Sequence, residues 1–551
     1  MDTTRFILIA SLCLVALLLW DAWQRDYGEP LPAEKAASTK EGDRDKKDIP
    51  LLPAEEDNKP LVENREYTAS RLITITNGLF NIRIDTRGGN VVQAELPGYP
   101  LDIDQPDIPV TLLDNVPGFT YIVQGGLLGN NEAPAHDAEY SSPQFQYSLA
   151  DGQEKLEVPL YWESTNGMEV KKIFVIYRDK YVVDIRYEVS NRSNNHWTGR
   201  AYGQIQHSDV ETKLARTVYT YTGAVISSPE KRYEKIPFDD MRTEKLDKKI
   251  VDGWAAVIQH YFVTALIPGS REDEYRYYSL FLDKNKTGDN TDRFVIGATT
   301  PQLSIPAGSE AEFKYQLYIG PKLQHRMESL APGLELTVDY GALWFIAKPL
   351  FWCLEKFHGF TGNWGWSIVL VTLMLKILFY NLSAAGYRSM ARMRKVQPKL
   401  LAIKDRYKND RTRLNKAMMD LYKEEKINPL GGCFPILVQI PVFIALYWVL
   451  LESVELRQTG FIFWIRDLSG PDPYFVLPVI MGVTMLIQQK LNPAPMDPVQ
   501  EKVMMTLPFI FTIFFAFFPS GLVLYWVVNN ILSIAQQWLI TRNLERAGLK
   551  S

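Results

Sequence analysis

Residues 364–381 read WGWSIVLVTLMLKILFYN, and this stretch decides how the rest of the chain is interpreted. Apart from Lys376 it is predominantly apolar and has the length that an α-helix needs to cross a bilayer. A cation near the middle of such a helix costs about 2.5–3.5 kcal/mol on insertion scales. The stretch therefore predicts a membrane helix, and Lys376 requires an explanation.

Two explanations of Lys376 are open. It lies six residues before Leu382, the predicted cytoplasmic end of its helix, which is about 9 Å at helical rise. Its aliphatic stem could therefore carry the ammonium to the headgroups by snorkelling. Alternatively, Lys376 lies in a polar cavity, because ionisable residues inside membrane segments are functional candidates by default.

Polar residues in the neighbouring apolar segments bear on this choice. The last segment carries a polar stripe spaced by four, four and three residues: Tyr525, Asn529, Ser533 and Gln536. Thr372 lies one turn from Lys376, and Gln439 lies in the second segment. Such residues could simply join helices by hydrogen bonds. Because no Asp or Glu lies inside the five C-terminal apolar segments, the sequence favours a wetted groove whose cation awaits an acidic passenger.

The apolar segments predict a polytopic α-helical membrane protein with six spans and a five-helix core bundle. An N-terminal apolar segment precedes five others, at 364–382, 430–451, 475–487, 503–518 and 522–540. The third and fourth of these five are shorter than the roughly 20 residues of a full span, which predicts a locally thinned bilayer.

Charge predicts the orientation. Residues 388–426 contain thirteen Lys or Arg and five Asp or Glu, whereas residues 452–474 contain two Arg and four acids. By the positive-inside rule the basic loop and both termini are cytoplasmic, and the large polar region is periplasmic. Apolar residues spaced by three or four predict a helical hairpin in this loop. Its charge could be only an orientation signal, or it could bind ribosomal RNA.

The large polar region reads as short alternating runs separated by turn signals such as Asn77-Gly78 and Gly88-Gly89. This pattern predicts a large all-β sandwich. The region contains no cysteine, and its histidines are scattered, as structural histidines usually are. The chain has no CxxC, HExxH or Walker-type GxxxxGK[ST] motif, so no metal or cofactor and no enzymatic activity are expected.

Composition and hydropathy divide the chain into eight expected parts. They are an uncleaved membrane anchor (1–27), a flexible tether (28–66), the β-super-sandwich (67–335), an amphipathic interfacial helix (336–360), a membrane helix (361–383), the basic cytoplasmic hairpin (384–428), four further membrane helices (429–541) and a short cytoplasmic tail (542–551).

Three long motifs carry a family resemblance. NPLGGCFPILVQIPVFIALYWVL (428–450), VELRQTGFIFWIRDLSGPDPYFVLPVIMGVTM (454–485) and FPSGLVLYW (518–526) closely resemble the YidC membrane protein insertases of Gram-negative bacteria, in the YidC/Oxa/Alb family. The resemblance implies a sandwich similar to sugar mutarotases without known catalysis. It also implies a hydrophilic groove that is open to cytoplasm and lipid and closed toward the periplasm.

The resemblance also implies roles for individual residues. In the family a cationic residue, usually Arg, lies in the groove on the first core helix, and Lys376 matches it. Lys keeps the charge but lacks the planar fork that binds a carboxylate in bidentate fashion. Thr372 matches a groove position important for activity. Trp526, beside Tyr525, occupies a position more often held by Tyr.

The implied function is insertion and folding of nascent integral membrane proteins in the inner membrane, alone or with the Sec translocon and its accessory subunits. Contact with the ribosome would rest on the basic hairpin, membrane lipids would be partners, and DNA would not. Two rival functions remain at this stage. A secondary transporter of small anions would be expected to show repeated halves. A membrane-anchored periplasmic carbohydrate-binding protein would depend on the sandwich alone.

Overall fold

A computed structural model describes residues 71–208, 220–287, 291–407, 410–425, 434–492 and 498–548. The predicted anchor and tether lie outside the described residues.

The first half of the described chain is a sandwich of two β-sheets. Its nineteen strands in the described residues are β1 (Leu72–Thr76), β2 (Asn81–Asp85), β3 (Asn90–Asp102), β4 (Gln105–Val116), β5 (Phe119–Gly129), β6 (Gln146–Ser148), β7 (Lys155–Glu163), β8 (Met168–Tyr177), β9 (Val182–Asn191), β10 (Trp197–Ser208), β11 (Gly223–Ser227), β12 (Glu234–Ile236), β13 (Asp247–Val251), β14 (Trp254–Ile258), β15 (Phe262–Pro268), β16 (Glu274–Leu282), β17 (Arg293–Thr299), β18 (Leu303–Ile305) and β19 (Ser309–Pro321).

The larger sheet has the order β13-β16-β17-β10-β5-β4-β3-β2-β1-β6, with β18 paired to β10, and the smaller sheet has the order β12-β11-β14-β15-β19-β9-β8-β7. All pairs are antiparallel except β1 with β6. The predicted turn at Gly78 joins β1 to β2 with a positive φ of 87°. Gly88 has a φ of 74°, and a Cβ there would lie 1.9 Å from the His136 carbonyl oxygen. The predicted super-sandwich is confirmed.

The second half is helical. The helices in the described residues are α1 (Lys284–Thr287), α2 (Gln324–Leu330), α3 (Trp344–Thr361), α4 (Trp364–Leu378), α5 (Tyr380–Arg406), α6 (Arg411–Glu424), α7 (Phe434–Glu452), α8 (Val476–Leu491), α9 (Pro498–Phe515) and α10 (Ser520–Gly548). Short 3₁₀ turns occur at Asp240–Arg242, Leu334–Thr337, Gly341–Leu343 and Val454–Leu456. Helices α3, α4, α7, α8, α9 and α10 pack into one bundle.

A break at Phe379 divides the first predicted core span from the helix that continues it. Helix α4 ends one residue before Phe379, α5 begins one residue after it, and their axes differ by 68°. Taken together these two helices are long and apolar enough to cross a bilayer, whereas no single helix of the described residues meets both requirements. The number of spans therefore stays a prediction.

The basic segment forms two helices, α5 and α6, whose contact has a small apolar core of its own. Val396, Leu400 and Leu421 are buried in it. Pro398 lies inside α5 without ending that helix.

The sandwich is fastened to the bundle at the end of α7. Lys322 Nζ, just after β19, lies 3.1 Å from Glu452 Oε2, and both side chains are at most 3% exposed. The His260 ring lies 2.8 Å from the Leu451 carbonyl oxygen through Nε2, and burial lowers the pKa of this histidine to about 4. The neutral ring therefore donates from Nε2 to that carbonyl. These contacts fix the sandwich against the helix that forms one wall of the groove described next.

Candidate substrate groove

A cavity of about 330 Å³ lies within the bundle, between α5, α7, α8, α9 and α10. Each of these five helices contributes side chains to its wall. No Asp or Glu is among the side chains that line it in the described part of the chain. The lining therefore combines amide and hydroxyl side chains with a larger apolar surface, and it carries no carboxylate.

Lys376 lies in the last turn of α4, next to this cavity but not among the side chains that line it. The residue is 8% exposed, and its ammonium donates to Ser533 Oγ on α10 at 2.7 Å. The Ser533 hydroxyl in turn donates to the Asn529 carbonyl oxygen at 2.7 Å. No carboxylate of the described residues forms an ion pair with Lys376. The structure thus directs the ammonium inward, to a residue that lines the cavity, and not along the helix toward a headgroup.

The other predicted site residues divide into two groups. Five of the eight line the cavity, namely Gln439, Tyr525, Trp526, Asn529 and Ser533. Thr372 is buried one turn from Lys376, and its hydroxyl donates to the Ile368 carbonyl oxygen of its own helix at 2.7 Å. Gln536 donates from Nε2 to the Tyr380 carbonyl oxygen at 3.2 Å, so it contacts the α4–α5 break. Neither Thr372 nor Gln536 is among the lining side chains.

Six polar lining residues were not predicted. They are Ser383 and Tyr387 on α5, Gln488 and Gln489 on α8, Asn492 just after α8, and Asn530 on α10. The Gln488 amide donates to Gln537 Oε1 at 2.8 Å, and its own Oε1 is buried without a partner. For these residues, the local sequence signal that could have indicated a polar site was the pair of adjacent glutamines at the end of an apolar segment. Tyr387 had none, because it falls in the segment assigned to the hairpin.

One wall of the cavity is aromatic and sulfur-rich. The Trp526 ring packs against Phe443 with centroids 4.4 Å apart and against Phe515 at 5.4 Å. Met390, Met485 and Met504 also line the cavity. Methionine side chains are flexible and polarizable, and they suit surfaces that accept varied apolar partners.

The outer faces of α8 and α9 are apolar and exposed. Half or more of the side chain is accessible at Val479, Val483, Phe509, Ile510 and Ile513. Surfaces of this extent mark contact with lipid or protein. Among the described residues, no group of three or more His, Cys, Asp or Glu side chains could hold a metal ion.

Comparison with known proteins identifies the class of protein to which the chain is similar. Residues 72–353 match the family described as YidC periplasmic domain, and residues 356–547 match the family described as 60Kd inner membrane protein. The relatives are inner-membrane proteins with a periplasmic β domain, and the sandwich and bundle correspond to these two parts.

Individual relatives then give the family. The membrane protein insertase YidC of Methylococcus capsulatus is 50% identical, with 99% of each chain covered. That of Thioalkalivibrio sulfidiphilus is 48% identical, with all of both chains covered. A crystal structure of an active YidC insertase is 20% identical, with 85% of this chain and 92% of that chain covered at a TM-score of 0.37. On the sequence matches, the chain belongs to the YidC family of membrane protein insertases.

Proposed function

We propose that this protein inserts integral membrane proteins into the inner membrane and assists their folding, and that it does so without enzymatic chemistry. The observation that carries the proposal is the buried Lys376 ammonium, which adjoins the cavity and has one neutral partner, Ser533. A buried cation is costly unless it is paired. A client carboxylate would supply the missing counter-charge.

The cavity lowers the barrier for the polar end of a client. A short acidic tail enters between α5 and α10, and one of its carboxylates replaces Ser533 as the acceptor from Lys376. The carboxylate brings a full negative charge, which the neutral Ser533 hydroxyl lacks, so its bond to the ammonium is the stronger one. Gln439, Gln488 and Asn529 offer hydrogen bonds to the peptide backbone on the way. The membrane potential assists outward movement of the negative tail.

Release of the client follows from hydrophobic burial. The apolar segment of the client slides along the outer faces of α8 and α9 and of α7 into lipid. Removing about 20 apolar side chains from water provides the driving force, so that no nucleotide is needed.

The partners and placement belong to the same proposal. Clients are nascent membrane proteins, delivered either by ribosomes that contact the basic helices α5 and α6 or beside the Sec translocon with its accessory subunits. The basic segment is cytoplasmic together with both termini, the sandwich is periplasmic, and six helices span the membrane. The excess of cations in residues 388–426 supports this orientation.

Reconstitution tests the proposal. Purified protein in liposomes receives a small client with an acidic N-terminal tail, and protease protection of the tail reports translocation. We expect wild type and Lys376→Arg to insert the client and Lys376→Ala to lose at least tenfold in rate. Lys490→Ala, at the exposed end of α8, is the matched control and should insert normally. Normal insertion by Lys376→Ala would refute the role of the cation, and failure of folded wild type would refute the function.

A further inference from the structure

A second cavity, of about 450 Å³, lies between the sandwich and the surface helix α3. One wall is formed by α2 and the 3₁₀ turn Leu334–Thr337 that follow the last strand. The other wall is one face of α3. The substrate groove uses none of these residues.

The rim of this cavity is aromatic and accessible. Trp344, Phe345 and Trp352 are each more than half exposed, whereas Leu350 and Leu354 on the opposite face of α3 are buried. A helix with an exposed aromatic edge of this kind lies at a membrane interface. The Trp352 ring also contacts a cation, since the Lys356 ammonium lies 5.8 Å from its centroid.

The charged side chains that line the cavity carry more negative than positive charge. Lys348 Nζ lies 3.6 Å from Glu335 Oε1 and 3.7 Å from Glu328 Oε1. His325 Nε2 lies 2.8 Å from Glu355 Oε2. Lys348 is therefore shared by two carboxylates, and the third carboxylate, Glu355, pairs with a histidine. The second oxygen of Glu335, Oε2, is buried and has no hydrogen-bond partner.

A buried carboxylate oxygen without a donor is expensive, and a ligand that carries N–H groups would satisfy it. The cavity thus combines an unfilled acceptor, excess negative charge, aromatic rings and an apolar mouth. These features match a lipid whose headgroup ends in a primary ammonium. A trimethylammonium headgroup has the charge but no N–H to donate, and a glycerol headgroup has no positive charge.

We propose that this cavity binds the headgroup of one phosphatidylethanolamine molecule. Its ammonium donates to Glu335 Oε2 between the two indole rings, its phosphate approaches Lys348, and its acyl chains run past Phe345 into the bilayer. The proposal rests on the membrane placement given under the proposed function. The lipid would hold α3 against the sandwich, above the groove-forming bundle.

Native mass spectrometry of the full-length protein in detergent tests this site. Phosphatidylethanolamine, phosphatidylcholine and phosphatidylglycerol with identical acyl chains are titrated separately. We expect one phosphatidylethanolamine to be bound at least tenfold more tightly than either other lipid, and Glu335→Gln to abolish this preference. Glu274→Gln, which removes an exposed carboxylate that pairs with Lys249 at 3.3 Å and lies outside this cavity, is the matched control and should retain it.

Equal affinity of wild type for the three lipids, or an unchanged preference in Glu335→Gln, would overturn the proposal. Should Glu335→Gln fail to fold, Trp344→Leu provides a second variant, and it should weaken phosphatidylethanolamine binding at least threefold. Wild-type insertion of the client into vesicles of phosphatidylcholine and phosphatidylglycerol alone is measured in parallel. Insertion there without selective lipid binding would refute the site and leave the insertase function standing.

Discussion

The buried pair Lys322–Glu452 gives a sharp test of how the sandwich and the bundle are joined. Glu452→Gln keeps the size of the side chain and removes its charge. The ammonium of Lys322 would then have only neutral acceptors, namely the Thr337 carbonyl oxygen, 3.1 Å away, and the amide oxygen of the new glutamine. At 3.1 Å the lost attraction is about 5 kcal/mol for an effective dielectric constant of 20.

Removing one partner of a buried pair typically costs about 3–5 kcal/mol, because the other charge stays buried without compensation. We expect this cost to fall on the docking of the sandwich against α7. A loss of about 3 kcal/mol raises the population of the undocked state at least a hundredfold. A soluble protease should cleave the segment between α2 and α3 in the undocked state. The cleavage rate is then proportional to the undocked population, provided that docking is fast relative to cleavage.

The assay compares cleavage rates of the full-length protein in detergent. Glu274→Gln is the matched control, because its pair with Lys249 spans 3.3 Å but is well exposed, and such pairs contribute about 0–1 kcal/mol. The double variant Lys322→Met, Glu452→Met should return toward the wild-type rate, since an apolar replacement of both charges is often neutral. Cleavage of Glu452→Gln no faster than Glu274→Gln would refute the reasoning.

Three further predictions concern separate parts of the chain. Lys172→Met should destabilise the sandwich by at least about 3 kcal/mol in thermal unfolding, because the Lys172 ammonium donates to three buried carbonyl oxygens, each 2.9 Å away. Burial raises the pKa of the Glu455 carboxyl from 4.5 to about 7. Between these two values the folded state holds a proton that the unfolded state has lost, so the free energy of unfolding falls as the pH rises from 4.5 to about 7. Glu455→Gln should remove this fall in unfolding curves recorded between pH 5 and 8. Leu400→Ala should destabilise the contact of α5 with α6 by about 2 kcal/mol, seen as roughly thirtyfold faster amide exchange in α6, with the sandwich unaffected.

Local signals in the sequence were sufficient for most of the fold. The sandwich follows from period-two alternation and from glycines such as Gly78 and Gly88, which adopt the positive φ that their turns require. Tyr525, Asn529 and Ser533 line one cavity because residues four apart share a face of a continuous helix. Gln536, three residues further along the same face, is not among the lining side chains and donates to the carbonyl oxygen of Tyr380.

Features that depend on distant residues could not be predicted in the same way. No proline or glycine in the sequence marks the break at Phe379. One of the hydrogen bonds at this break comes from Gln536, which is more than 150 residues away in the chain. Lys322 and Glu452 are 130 residues apart, and each is unremarkable within its own segment. Tyr387 joins the cavity only because the break redirects α5 across the bundle. Such pairings arise from packing, which no local pattern records.

In the proposed mechanism, the surroundings of Lys376 would account for both binding and release of a client. A permanent acidic partner in the groove would satisfy the ammonium and compete with every client, whereas an entirely apolar site would make its burial prohibitive. Ser533 lies between these extremes. It accepts one hydrogen bond from Lys376 and directs its own hydrogen to Asn529, so the ammonium is held at modest strength. In the proposed mechanism an incoming carboxylate adds the full counter-charge that Ser533 lacks, and because Lys offers no rigid bidentate fork, the bond breaks readily when the apolar segment of the client moves into lipid.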